Sequence, residues 1–269
     1  MNDITLIKSD FFDCHDDMES ESIDLILTDP PYNILQQAGQ SWDVEINWKE
    51  TEEIFARLLK PYGQLILFCD IQLAVELIVT FNKYLAFRGF HIWHKPGGAP
   101  SNKYHPISNS EHILVFRKKQ SKVSDLTFNP KVVLPVGKPY VKRNSNEQFP
   151  TRRQKKSSFN TNPTGERWVK TVLSGPSKPN MKKAERTSHP TQKPLNILQD
   201  LVRCYSNPGD MILDPFAGSA STLIASHNED RPSMGVEKEK AFYEKALERI
   251  ERHLSQQNLF KSVSNHKGN

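Results

Sequence analysis

Cysteine is scarce in this 269-residue chain, and what there is lies scattered. Cys14, Cys69 and Cys204 are odd in number, far apart and without metal-ligand spacing. This excludes a disulfide frame and a cysteine metal centre, and it reads as three ordinary thiols in a reduced protein. No metal site is expected. Long apolar runs are missing too; nothing approaches the about 20 residues of a membrane span. The start, Met1-Asn2-Asp3-Ile4, lacks the basic and apolar regions of a signal peptide, so the expectation is an intracellular, cytoplasmic chain with no membrane partner. A Gly-x-Gly-x-x-Gly fingerprint is also absent, which argues against a nicotinamide dehydrogenase.

What is present is charge, unevenly placed. The net charge is +5 and the isoelectric point about 9.0, a lean towards a polyanionic partner. Between 117 and 186, 18 Lys and Arg stand against 4 Asp and Glu, net +14, so the other residues carry −9. The stretch is also rich in Pro, Ser and Asn, which disfavours long helices. A solvated basic loop is the plain reading. Embedded aromatics (Phe128, Tyr140, Phe149, Phe159, Trp168) argue against simple disorder, because disordered segments are aromatic-poor. A phosphate-tracking insert uses both features, with Lys142, Arg143, Arg152, Arg153, Lys155 and Lys156 as candidate nucleic-acid contacts.

Elsewhere strands and helices alternate. Apolar runs at 4–7, 23–27, 64–69, 90–93, 112–116, 211–213 and 233–236 read as strands. Residues 51–59, 71–82, 194–205, 221–227 and 240–254 fit helices, 60–63 a stop and turn, and from about 256 a polar, frayed tail. The predicted fold is α/β: a Rossmann-like, mostly parallel sheet with helices on both faces. Its catalytic domain is discontinuous, 1–117 and 186–255, around a basic insert at 118–185, with a disordered tail at 256–269. Such sheets bind ligands at the carboxyl ends of their strands, where Asp10, Asp29, Asp70, Asp214 and Glu237 all fall.

Two stretches carry chemistry. The first is Thr28-Asp29-Pro30-Pro31-Tyr32-Asn33. Consecutive prolines fix the backbone and remove N–H donors, so a carboxylate and a carbonyl can both accept from one amino group. The tyrosine beside them offers a stacking face for a base. A rigid turn after a strand is the alternative. The second is Asp214-Pro215-Phe216-Ala217-Gly218-Ser219-Ala220-Ser221, a strand running through a small-residue loop into a helix, where a ligand can approach the backbone. Glu237 follows 23 residues after Asp214, the place of an acid that holds ribose hydroxyls.

Together these motifs resemble the DNA amino-methyltransferases, and their order resembles the β class: Asp-Pro-Pro-Tyr first, basic stretch next, Phe-x-Gly loop last. Residues 58–65 and the run His189-Pro190-Thr191-Gln192-Lys193-Pro194 match further family motifs. The resemblance implies S-adenosylmethionine as cofactor and an adenine, flipped from double-stranded DNA, as acceptor. It assigns Asp29, Pro30, Pro31 and Tyr32 to catalysis, the Asp29 carboxylate and Pro30 carbonyl holding the amine and Tyr32 stacking on the base. It assigns Asp10, Phe11, Asp29, Lys193, Asp214, Phe216, Ala217, Gly218, Ser219, Ala220, Ser221 and Glu237 to the cofactor. Asp10 reads equally as a strand-end cap and Lys193 as a solvated lysine. The family usually has a second glycine where this chain has Ala220, which is expected to need no positive φ and to alter cofactor affinity modestly. The resemblance also brings a prokaryotic or phage setting, a homodimer and a companion restriction endonuclease into view.

Rival readings stay close. Asp rather than Ser at position 29 favours adenine over N4-cytosine, and no cysteine follows a proline as in C5-cytosine enzymes. RNA and protein amide are other acceptors, the latter disfavoured because position 29 is not Asn. A DNA-binding protein that has lost catalysis is the rival of a different class, supported by Ala220 alone.

Overall fold

The computed structural model describes residues 3–32, 45–97, 103–104, 106–131, 137–143 and 159–265. Eight strands form one twisted sheet. They are β1 (Ile4–Lys8), β2 (Ile23–Thr28), β3 (Leu59–Cys69), β4 (Leu85–His94), β5 (Ser110–Lys118), β8 (Val172–Ser174), β9 (Ile212–Asp214) and β10 (Ser233–Glu237), in the order β1-β10-β9-β2-β3-β5-β4-β8. The first five in that order run parallel; β5 is antiparallel to both β3 and β4, and β8 is parallel to β4. β6 (Tyr140–Arg143) and β7 (Phe159–Asn162) form a separate antiparallel pair. The sheet therefore takes in β8 from within 118–185.

Residue alternation in the central strands explains the layering. Ile26 of β2 and Leu65 and Leu67 of β3 face one side, where they pack with Phe55 and Leu58 of α2 (Trp48–Leu58) and Leu73 and Leu77 of α3 (Ile71–Thr80). Leu25 and Leu27 of β2 and Ile66 and Phe68 of β3 face the other, against Ile197, Leu198, Leu201 and Val202 of α4 (Leu195–Tyr205). Side chains alternate with period two along a strand, so each strand feeds both cores and reads as unbroken apolar sequence. Each such fully buried side chain contributes about 1.5–3 kcal/mol. α5 (Ser221–Asn228) and α6 (Lys240–Asn265) close a third cluster through Leu223, Ala246 and Ile250.

Two sequence expectations are corrected. Residues 60–63 do not end an element; they lie inside β3 as an irregularity in which Ile23 faces Leu59 and Leu25 faces Gln64. Lys60 spans it to Asp24 at 2.7 Å. Gly63 is needed there, since a Cβ would stand 2.9 Å from the Ile23 carbonyl oxygen. The frayed tail expected from 256 is helix as far as Asn265, because no Pro or Gly interrupts 240–265. Among the described residues no helix is long and apolar enough to cross a membrane. α3 leaves Ile71, Val75, Ile78 and Val79 exposed by 40–67%.

Candidate active site

The carboxyl ends of β1, β2, β9 and β10 converge on a cavity of about 570 Å³. That is the size of a small-molecule or cofactor site. Every residue expected at the cofactor or methyl-transfer site lines it except Ala220. Asp70, also at a strand end, is spent on capping α3: its carboxylate accepts from the Leu73 N–H at 2.8 Å.

At the end of β2, Asp29 is gripped from two sides. The Tyr32 hydroxyl donates to Oδ1 at 2.6 Å, and the Lys193 ammonium donates to Oδ2. Lys193 is 8% exposed, so the reading as a solvated lysine is overturned. It also lies 3.4 Å from Oε2 of Glu111, whose Oε1 accepts from Lys95 at 2.6 Å. Two carboxylates and two ammonium groups thus neutralise one another along one wall. Burial pushes the Asp29 carboxyl up, against the pull of Lys193. Burial pulls Lys193 down, but Asp29 and Glu111 outweigh it and hold its pKa above the ordinary lysine value.

The second motif forms the opposite wall. Asp214 ends β9, where its Oδ1 accepts from the Thr28 hydroxyl at 2.6 Å and the Phe216 N–H at 3.2 Å. Burial raises its pKa to about 6. Gly218 takes φ +51° and donates its N–H to Glu237 Oε2 at 2.8 Å; Glu239 N–H donates to Oε1 at 2.7 Å. Burial carries Glu237 to about 7 despite these bonds. Ala220 corrects the sequence expectation twice. It sits at φ +58°, ψ +26°, left-handed, as the residue that leads into α5, and its side chain is fully buried against α6 rather than facing the cavity.

At the end of β1, Asp10 both lines the cavity and caps α1 (Phe11–Cys14), accepting from Phe12 N–H at 3.0 Å. Phe11 and Phe12 stand 6.1 and 6.3 Å from the Phe216 ring, an aromatic cluster beside Glu237's wall. His189 packs on Phe242 at 4.5 Å, and burial lowers its pKa to about 4.

Sequence reasoning missed Glu111 and Arg249. Glu111 is the second residue of β5, and the antiparallel register pairs it with Trp93, two residues from Lys95. Only that register brings the acid beside the lysine; the sequence alone carries no signal of it. Arg249, buried on α6, donates to the Ser219 carbonyl at 2.7 Å and the Ser221 hydroxyl at 2.8 Å, fixing the loop from behind. Of the basic candidates, Lys142 and Arg143 fall on β6 with their side chains outside the described residues, as Arg152, Arg153, Lys155 and Lys156 are altogether. Not every cation of the stretch is available: Lys118 is buried and donates to the Leu59 carbonyl at 2.9 Å.

Comparison with known proteins shows the family. A family model described as DNA methylase (N6_N4_Mtase) matches residues 23–248. Type II methyltransferase M.HpaI of Haemophilus parainfluenzae is 28% identical over 97% of this chain and 77% of its own length. DNA adenine methyltransferase YhdJ of Escherichia coli strain K12 is 28% identical over 93% of this chain and 84% of its own. The crystal structure of an M1.HpyAVI–SAM complex superposes with a TM-score of 0.62 at 24% identity, covering 91% of this chain and 99% of that one, a likeness of fold. The family match runs through both cavity walls and the basic stretch between them, and the chain belongs to the DNA methylase family N6_N4_Mtase.

Proposed function

We propose that this chain transfers a methyl group from S-adenosylmethionine to the exocyclic N6 of an adenine flipped out of double-stranded DNA. The observation that carries the reading is one cavity with Asp29-Pro30-Pro31-Tyr32 on one wall and Phe216 to Ser219 with Glu237 on another. The second wall fits the cofactor. Glu237 can accept from ribose hydroxyls, Phe216, backed by Phe11, can offer a ring to a purine, and Gly218 leaves room where a Cβ would crowd His189 at 3.0 Å. Bound there, S-adenosylmethionine supplies an electrophilic methyl group. Asp29 and the Pro30 carbonyl then accept the two amine hydrogens, which aims the N6 lone pair at that methyl and stabilises the charge that develops on nitrogen. Tyr32 supplies a ring on which the extruded base stacks, repaying part of the unstacking cost. A direct transfer would ask no covalent bond of the enzyme: Asp29, Pro30 and Tyr32 would hold and orient the amine, and the proton it sheds on methylation would pass to the Asp29 carboxylate that accepts it.

The name of the YhdJ relative supports adenine over cytosine. The inserted segment 118–185 is the reading's DNA-contact and target-recognition region, through Lys142, Arg143, Arg152, Arg153, Lys155 and Lys156, on the strength of its net charge. The setting is a prokaryotic or phage-type cytoplasm. Pairing with a second copy draws on the exposed apolar row of α3; sedimentation of the chain and of Val75→Glu tests it, and a monomer in both cases removes it. A companion endonuclease draws on nothing in the chain.

The experiment is incubation with tritiated S-adenosylmethionine and unmethylated genomic DNA beside Asp29→Ala. N6-methyladenine that disappears in the variant is the expected result. Label as N4-methylcytosine would move the acceptor, and cofactor binding without label on any acceptor would sink the catalytic reading.

A further inference from the structure

On the proposed function the adenine amine must bond to Asp29, yet in the free protein both Asp29 oxygens are already engaged. Tyr32 holds Oδ1 at 2.6 Å and Lys193 holds Oδ2. Tyr32 is a neutral donor, so exchanging its hydroxyl for the amine leaves no cation stranded. Lys193 cannot leave alone. Its ammonium is 8% exposed, and a neutral amine replacing it on Asp29 would strand a buried cation. The wall contains the remedy. Glu111 Oε2 is buried, and its one contact is a long ion pair to Lys193 Nζ at 3.4 Å, with no well-formed hydrogen bond among the described residues. Lys95 fixes the same carboxylate through Oε1 at 2.6 Å, so Oε2 is held facing Lys193.

We infer that Glu111 is a positioning residue that receives Lys193 when the target amine takes its place on Asp29. Lys193 exchanges one carboxylate for another by closing a 3.4 Å gap, so the lysine's charge stays paired throughout, and the Asp29 carboxylate is left facing the positive charge that develops on the amine. The lysine therefore acts as a latch: it masks Asp29 in the free protein and releases it on arrival of a base. The exchange needs both carboxylates. A Glu111 that merely balances charge would contribute to folding and cofactor binding but not to turnover.

The test is Glu111→Gln, compared with wild type in the tritium assay, with cofactor and DNA affinities measured separately by calorimetry. The latch expects kcat to fall roughly tenfold or more, the order of penalty for a stranded buried ion, while both Kd values stay within about twofold. Glu111→Asp, which keeps the charge and shortens its reach, should recover part of the loss. Unchanged kcat in Glu111→Gln, or a loss that follows cofactor affinity or thermal stability, overturns the latch. If Glu111→Gln does not fold, Glu111→Asp carries the same comparison: a kcat loss at constant Kd supports the latch, and no loss overturns it. The parent reading fails separately, by absence of transfer in the wild type, and takes the latch with it.

Discussion

The Thr28 hydroxyl donates to Asp214 at 2.6 Å, joining residues 186 apart in the chain. Thr28 immediately precedes Asp29, and Asp214 immediately precedes the Phe216 loop, on the neighbouring strands β2 and β9. One buried bond thus sets the spacing of the two walls between which a methyl group must pass. Thr28→Val keeps the volume and the strand preference but removes the donor from a buried carboxylate. It should lower stability by about 1–3 kcal/mol. At about 2–4 °C per kcal/mol, thermal melting will read this. It should also lower kcat more than cofactor affinity, since Glu237 is untouched; equal melting curves would show that the bond carries no weight.

Glu237 makes cofactor binding pH-dependent, with a definite sign. Its pKa is raised to about 7, so the carboxyl protonates as pH falls through neutrality. Ribose hydroxyls donate to the carboxylate and lose their partner when it becomes an acid. Affinity for S-adenosylmethionine should therefore be roughly tenfold weaker at pH 6 than at pH 8. For folding the sign reverses: a carboxyl raised above its unfolded value contributes stability at low pH that is lost as pH rises through about 7. His189, at about 4, stays neutral over this range. Glu237→Gln should bind more weakly than wild type at pH 8 and show a flat profile in calorimetry; an equally steep profile would move the titration to another group.

The strand–helix alternation and the two motif loops were legible because each depends on local sequence. Ile23 to Thr28 is apolar on both faces, and the loop from Asp214 is small residues between a strand and a helix. Glu111 was not legible, because its meaning comes from a register: β5 runs antiparallel to β4, and only that pairing carries it to Lys95 and Lys193. Arg249 was hidden in the same way, as one charge among many on an amphipathic helix until the packing of α6 turned it onto Ser219. The left-handed turn at Ala220 was missed because alanine gives no sign of positive φ.

Gly218 has two independent reasons to be glycine. Its φ is +51°, and an added Cβ would stand 3.0 Å from His189 Nε2. Gly218→Ala should therefore lose about 1–2 kcal/mol of stability. Because the Gly218 N–H also holds Glu237, the same change should weaken cofactor binding, and calorimetry that shows full affinity would contradict this account of the loop.

Ala220→Gly is the contrasting case, and magnitudes decide it. The left-handed conformation costs a non-glycine residue about 1–2 kcal/mol, which glycine would recover. Against this, glycine adds unfolded-state freedom worth about 0.4–1 kcal/mol. It also deletes a fully buried methyl packed in the cluster with Leu223, Ala246 and Ile250, worth about 0.8 kcal/mol. The terms nearly cancel, so the melting temperature should move by less than about 3 °C in either direction. Cofactor affinity should not move, because the Ala220 side chain faces α6 and not the cavity, unlike the residues on either side of it. The packed methyl is what lets alanine stand at a turn that otherwise favours glycine. A Kd change beyond about fivefold, or roughly 1 kcal/mol, would mean that the loop transmits strain at Ala220 to Ser219 and the ligand.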